Sequence, residues 1–492
     1  MILLIKKVIS SPLFFLLAAL LVVRAALVLA MGIMPQDAYY YFYADHLALS
    51  YFDHPPMVGW MLWLFTSVLG KSIVAIHTTD FIITLITIYV FYLLAIRILS
   101  PQKTANAVVL FFTTLMASIL SINTTPDVPL LLFWVLSLLC AHKAIAEDKF
   151  LYWLLTGIMM GAAFLSKYTA VFLPAGLFFF LLMSKEHRKK LISWRFVLVC
   201  ILFAVVASPV LIWNIQNDFV SFKFQGANRA SEIKNEGLNI KNVLGLFAHQ
   251  LAVLLPVIFV LLLWTIYKLV RRPLKKLKTL STDSIFLLCF FLPLLLFFFL
   301  ISFFYWVKLN WMMPAYISGI IWATVYFKRK WLSYQIVPSL IINVLGLIFI
   351  LLYPVPVKSD DTWWGWKQLN TELNKKLETK PGYFIFSHDS YKTSAVLNFL
   401  RDDEVYTGNL LGENALQFSV VHKDAPQQLK GQNALFVDSY PQFKKERNTD
   451  SVLFKLKNHF NEVMPLDTIV LKTIFGTKAR VFLIYDCKGY KP

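Results

Sequence analysis

The sequence predicts an α-helical polytopic membrane protein of about eleven transmembrane helices, with a small α/β domain at its C-terminal end. Three observations carry this. The 492 residues are 58% hydrophobic and 15% charged, well outside the composition of soluble globular domains. Eleven apolar runs approach the roughly 20 residues a helix needs to cross a bilayer: 12–33, 73–96, 104–121, 128–146, 151–166, 168–184, 196–213, 249–270, 284–304, 311–327 and 334–353. Past Tyr353-Pro354 the composition becomes ordinary, and sixteen of the chain's 28 acids fall there.

The first run holds Arg24, is too long for the apolar core of a signal peptide and precedes ten more, so it reads as an uncleaved anchor. An arginine at mid-bilayer is expensive unless it is paired or faces a wet cavity. Orientation follows from Lys and Arg. Lys6-Lys7, Arg97/Lys103, Lys143/Lys149, the 185–190 cluster, the 271–278 cluster and Lys328-Arg329-Lys330 fall on one side, and far fewer cations fall on the other. This places the N-terminus in the cytoplasm. The loops 34–71, 123–127, 214–248 and 305–310 and the C-terminal domain then lie outside. The net charge of +19 mostly expresses that asymmetry, and nucleic acid is not an expected partner.

The first outer loop, 34–60, is unusually rich in Asp, His and aromatic residues for a connection between spans. Asp37 follows the first span directly. Tyr39 and Tyr40 follow it, and Tyr51-Phe52-Asp53-His54-Pro55-Pro56 comes next; the paired prolines hold the residues before them extended. In the second outer loop, Asn123-Thr124-Thr125-Pro126-Asp127 places a carboxylate at the start of the fourth span. Asp37 and Asp127 each have a plainer reading, as caps accepting N–H bonds at helix starts. The fifth and sixth runs are short and meet at Ser166-Lys167-Tyr168, and such breaks tend to line cavities. Lys308-Leu309-Asn310-Trp311 opens the tenth run, and Arg229 lies in the 214–248 loop. Lys167, His54, Arg24 and Lys308 are therefore candidates for a phosphate, with Arg229 near them. One Asp beside one His is weak evidence for a metal; no cofactor is certain, and a divalent cation stays open.

In the C-terminal part, Trp363–Leu377 reads as an amphipathic helix. Tyr383–Phe386 and Ala434–Val437 read as buried strands, and Thr468–Phe475 with Ala479–Tyr485 as a hairpin across Gly476-Thr477-Lys478. The domain boundaries expected are 1–353 and 354–492. Cys140, Cys200 and Cys289 lie within apolar runs and Cys487 alone in the tail, so no disulfide framework is implied.

Asp37-Ala38-Tyr39-Tyr40, Tyr51-Phe52-Asp53-His54-Pro55-Pro56, Thr125-Pro126-Asp127-Val128-Pro129-Leu130, Ser166-Lys167-Tyr168-Thr169-Ala170, Trp213-Asn214 and Asn310-Trp311 occur in an order that resembles bacterial glycosyltransferase family 39. That family lies in the C-type (GT-C) membrane superfamily and includes protein O-mannosyltransferases and the lipid A aminoarabinose transferase. The resemblance covers the whole membrane part of the chain. It implies a GT-C fold and a polyprenyl-phosphate-linked sugar as donor. It also implies an acidic base in the first outer loop and a second acid at Asp127. In that family an Asp-Glu pair usually precedes Ala-Tyr-Tyr, and here the pair is Gln36-Asp37. The aminoarabinose transferase has a lysine where His54 stands.

The function expected is transfer of a sugar from polyprenyl phosphate, with inversion, to an envelope acceptor: lipid A, another glycolipid, a polymer or a protein. Transfer takes place on the outer face of the bacterial inner membrane. Asp37 and Asp127 are the expected catalytic acids, and Tyr39, Tyr40, Asp53, Tyr168 and Asn310 the expected substrate contacts. The alternative is a secondary transporter of an envelope precursor. Transporters place ionisable groups mid-span and show inverted repeats, whereas here the acids gather at outer span ends and no repeat is visible.

Overall fold

The computed structural model describes residues 12–235, 237–273, 280–357, 359, 361–441 and 449–492. Lys6, Lys7, Lys275, Lys276 and Lys278 of the orientation argument lie outside these residues. The protein is a multi-pass membrane protein. Among the described residues seven helices are long and apolar enough to cross a bilayer: Pro12–Ala30 (α1), Ile73–Ile98 (α4), Asp127–Glu147 (α7), Trp194–Gln216 (α10), Ile240–Val270 (α11), Thr282–Ile301 (α12) and the segment Arg329–Leu352 that contains Ser333–Leu352 (α14). The remaining four runs are shorter or broken. The run 104–121 is split into Pro101–Phe112 (α5) and Leu115–Ile119 (α6), because Thr114 turns away to cap α6, accepting the Ala117 N–H at 3.2 Å. Phe150–Ser166 (α8), Phe172–Met183 (α9) and Met313–Thr324 (α13) complete the set. α11 begins nine residues before the apolar run that announces it, and it is broken at Leu255, whose positive φ precedes Pro256.

Burial orders the bundle. The apolar window of α7 is 83% buried and that of α10 only 17%, so α7 runs through the centre and α10 faces lipid. α8 and α10 pack closely across Gly157 and Gly161. A β-carbon at Gly157 would lie 2.8 Å from the Val199 carbonyl oxygen, and one at Gly161 2.5 Å from Val206 Cβ. Small residues four apart let membrane helices approach this way. Gly157→Ala therefore lowers stability by about 1–3 kcal/mol, to be read as a lower thermal midpoint in detergent. A midpoint equal to wild type would mean that α10 yields without cost.

The segment between α1 and α4, expected as loop, folds into two helices, Pro35–Asp45 (α2) and Met57–Leu69 (α3). Pro35 stands at the first helical position of α2, where its missing N–H costs nothing. Asp37 Oδ2 accepts the Met34 N–H at 3.1 Å. Nine of the eleven residues of α2 are buried. No amphipathic pattern announces this, because bundle and C-terminal domain cover α2 from opposite sides.

After α14 come Trp366–Glu378 (α15), Lys392–Leu400 (α16) and a six-stranded mixed sheet: β1 (Phe384–Ser387), β2 (Val405–Tyr406), β3 (Ala434–Pro441), β4 (Phe460–Pro465), β5 (Ile469–Lys472) and β6 (Lys478–Tyr490). The order is β2-β1-β3-β6-β4, with β5 also on β6; β1 is parallel to β2 and β3, and β6 is antiparallel to its neighbours. β1-α16-β2 is thus a parallel crossover unit. The sheet unit rests on α2 through Tyr41 against Phe399 (5.0 Å between ring centroids) and Phe42 stacked on Phe418 (4.0 Å). The Phe52 N–H donates to Gln417 Oε1 at 2.9 Å.

Candidate active site

A cavity of about 670 Å³ lies where α2, the 51–56 turn, the start of α7, the α8–α9 break, the 224–233 segment, the 305–311 turn and the C-terminal unit converge. Its walls hold Tyr39, Tyr40, Asp53, His54, Asp127, Lys167, Tyr168, Lys308 and Asn310 from the expected set, with Arg229. Two expected residues stand elsewhere. Arg24 is buried in α1, where its guanidinium donates to Ser118 Oγ (2.8 and 3.1 Å) and the Thr114 carbonyl (3.1 Å) and lies over Phe112. It fastens α1 to the α5–α6 break and does not line the cavity, which corrects the phosphate assignment.

Asp37 is also absent from the cavity wall. It is fully buried; Oδ1 accepts the Thr124 N–H at 2.8 Å, and Oδ2 meets His77 Nε2 at 3.1 Å as well as the Met34 N–H. Both oxygens are thus occupied in joining α2, α4 and the second outer loop. The neighbour that does face the cavity is Gln36, the residue in which the sequence departs from the family's acid pair. A carboxylate at the start of a helix looks the same in sequence whichever side it turns to.

Among the described residues two carboxylates remain on the cavity wall, in different surroundings. Asp127, at the start of α7, is fully buried and held by Lys167 Nζ at 2.8 and 2.9 Å from its two oxygens, and it also accepts from Asn310 Nδ2. Asp53 has one oxygen occupied: Oδ1 accepts from the Tyr39 hydroxyl at 2.8 Å and from the Tyr43 hydroxyl. Its Oδ2 lies 4.0 Å from His54 Nε2. Burial raises the Asp53 carboxyl above the ordinary range, with the tyrosine hydrogen bonds acting against it. A carboxylate held by one oxygen, with a raised pKa and a free edge, suits proton abstraction.

His54 is held well below the ordinary imidazole range by burial and then by Lys167, Arg229 and Lys308. A neutral imidazole can offer an anion only an N–H donor. The cavity's cations differ in their partners. Lys167 is neutralised by Asp127. Among the described residues Arg229 and Lys308 form no ion pair, and Arg229 lies over the rings of Trp311 (5.2 Å) and Phe224 (5.9 Å). Burial and the charges of Arg229 and Lys167 lower Lys308. Two cations lining one cavity, neither in an ion pair among the described residues, suit an anion. Among the described residues no group of three His, Cys, Asp or Glu side chains has the arrangement of a metal site.

Among the residues with no signal in the sequence are Tyr391 and Leu416, which line the cavity from the C-terminal unit, and Asp361, which stands behind Gln36. Asp361 Oδ1 accepts the Gln36 N–H at 3.2 Å, capping α2 from outside. Burial, then repulsion from Asp37, push its carboxyl up to about 6. A carboxyl raised from about 4 in the unfolded chain contributes stability at low pH that is lost as pH rises through 6. Asp361→Asn keeps an acceptor for the N–H and removes the titration. Relative to wild type, its thermal midpoint should climb between pH 4 and 7; parallel midpoints would disprove the coupling.

Comparisons with known proteins agree with this architecture. The family profile described as dolichyl-phosphate-mannose-protein mannosyltransferase matches residues 53–213. The lipid A galacturonosyltransferase RgtD of Rhizobium johnstonii is 29% identical over 299 residues, 60% of each chain. The lipopolysaccharide core galacturonosyltransferase RgtA of the same organism is 27% identical over 203 residues, 40% of each chain. The matches thus span less than two thirds of these relatives' lengths. The crystal structure of ArnT from Cupriavidus metallidurans in the apo state superposes with a TM-score of 0.62 at 14% identity, covering 96% of this chain and 97% of that one. The chain has the fold of the ArnT structure, and its residues 53–213 resemble the protein mannosyltransferase family.

Proposed function

We propose that the chain is a membrane glycosyltransferase that moves a sugar from a polyprenyl-phosphate donor to an envelope glycolipid on the outer face of the bacterial inner membrane. The observation that carries this reading is the cavity itself: a carboxylate with a free edge, Asp53, shares it with Arg229 and Lys308, two cations that form no ion pair among the described residues. Residues 1–353 form the membrane catalytic domain and 354–492 a periplasmic domain, with the Lys- and Arg-rich loops cytoplasmic. The names of the two Rhizobium relatives make a galacturonosyl donor and a lipid A acceptor the first substrates to test.

In the proposed reaction Asp53 Oδ2 takes the proton of the acceptor hydroxyl. The acceptor oxygen bonds to the anomeric carbon from the face opposite the phosphate, and the carbon–oxygen bond to phosphate breaks. Its electron pair stays on polyprenyl phosphate, which leaves as a dianion. A single in-line displacement inverts the anomeric configuration. The leaving phosphate is a weak base and needs no strong acid; it needs cations placed where charge develops, the role of Arg229 and Lys308 with an N–H from His54. Asp127 holds Lys167 at the same wall.

The test uses the full chain in lipid nanodiscs with lipid A and radiolabelled galacturonic acid, supplied either on polyprenyl phosphate or as a nucleotide sugar. Label should reach lipid A from the lipid donor alone. Transfer from the nucleotide sugar with no polyprenyl phosphate present would overturn the reading.

A further inference from the structure

The C-terminal unit turns the carboxyl ends of β1 and β2 towards the membrane cavity. The segment after β1 reaches Tyr391, and the longer segment after β2 reaches Leu416; both side chains line the cavity. In open α/β sheets ligands bind in the crevice outside the carboxyl ends of parallel strands. Here that crevice is closed from the other side by α2 and the 51–56 turn.

Both residues occupy turns with unusual backbone geometry. Ser390, immediately before Tyr391, has φ 68°, and Leu416 has φ 54° and ψ −128°. Glycine adopts the latter conformation freely, and a leucine there is strained. The strain is held by neighbours: the Leu416 N–H donates to Asn414 Oδ1 at 2.9 Å, and the Gln417 N–H to the Tyr39 hydroxyl at 3.2 Å. Retaining a leucine in a glycine conformation makes sense where its side chain has work to do in the cavity. The Tyr391 ring lies 4.3 Å from that of Tyr39, and its hydroxyl has no hydrogen-bond partner among the described residues. Tyr39 also holds Asp53, so Tyr391 stands one ring away from the carboxylate with the free edge.

We infer that the carboxyl ends of β1 and β2 form half of the acceptor site, Tyr391 donating its hydroxyl to a sugar oxygen of the glycolipid head and Leu416 covering the apolar side of that sugar. The inference rests on the glycosyltransferase reading and assigns the C-terminal unit to the acceptor, leaving the donor to Arg229 and Lys308. Neither residue is catalytic; they determine which hydroxyl reaches Asp53.

The experiment measures equilibrium binding of lipid A, and separately of polyprenyl phosphate, to the full chain in nanodiscs for wild type, Tyr391→Phe and Leu416→Gly. Tyr391→Phe keeps the ring and removes the hydroxyl, and should weaken lipid A binding about fivefold with polyprenyl phosphate affinity within about twofold. Leu416→Gly relieves the strained backbone, so its thermal midpoint should rise while lipid A binding falls. A purely structural residue would not give that opposition. Lipid A binding that is absent in wild type, unchanged in both variants, or lost in step with polyprenyl phosphate binding overturns the inference. These arms need no turnover, so they decide it even if the transfer assay fails.

Discussion

Asp53→Asn should lower transfer by about 10²–10⁴-fold, the range for loss of a general base, while the protein folds and binds polyprenyl phosphate as wild type does. The asparagine oxygen still accepts from the Tyr39 and Tyr43 hydroxyls that hold Asp53, so the wall of the cavity stays in place. In the wild type, activity should fall as pH drops through a pKa above the ordinary carboxylate value, because burial raises Asp53. Asp37→Asn provides the contrast. Its side-chain nitrogen cannot accept one of the contacts now made by the buried carboxylate, so it should lower the thermal midpoint and the yield of folded protein, with turnover per folded molecule largely kept. A well-folded, inactive Asp37→Asn beside an active Asp53→Asn would return the base to Asp37.

Lys167→Met should lose both stability and activity. It leaves Asp127 charged and fully buried without its cation, and breaking a buried pair in this way costs about 3–5 kcal/mol. Adding Asp127→Asn should restore most of the stability, since a neutral pair carries no such penalty. It should not restore transfer if the pair shapes the donor wall. Circular dichroism melts and transfer rates of the two single variants and the double variant separate the effects. Recovery of both together would make the pair a fold element alone.

The membrane helices were legible because lipid contact demands apolar residues whatever the tertiary packing. The short helix α3 was not, since it follows paired prolines and is too short to count as a span. Motif order gathered nine residues of the cavity wall: Tyr39, Tyr40, Asp53, His54, Asp127, Lys167, Tyr168, Lys308 and Asn310 all face one space. What sequence cannot express is direction. Asp37 and Asp53 are both acids in one aromatic-rich loop, yet one turns into the bundle and the other to the cavity. Arg24 is costly in a span, but nothing local shows that Ser118 and the Thr114 carbonyl relieve the cost. Tyr391 and Leu416 reach the cavity from more than 300 positions beyond Asp53, through contacts no local pattern encodes.

The position of β6 bears on when the cavity is complete. Of the six strands it is the one synthesised last, yet it lies between β3 and β4 and also pairs with β5. The sheet therefore has no stable half-built form in which only its final edge is missing. Until those thirteen residues leave the ribosome, β3 and β4 have no common partner, and the turns carrying Tyr391 and Leu416 have no completed sheet behind them. A chain cut short by a premature stop would insert its spans and still lack one wall of the cavity. The order of strands thus ties completion of the cavity wall to completion of the chain's last strand.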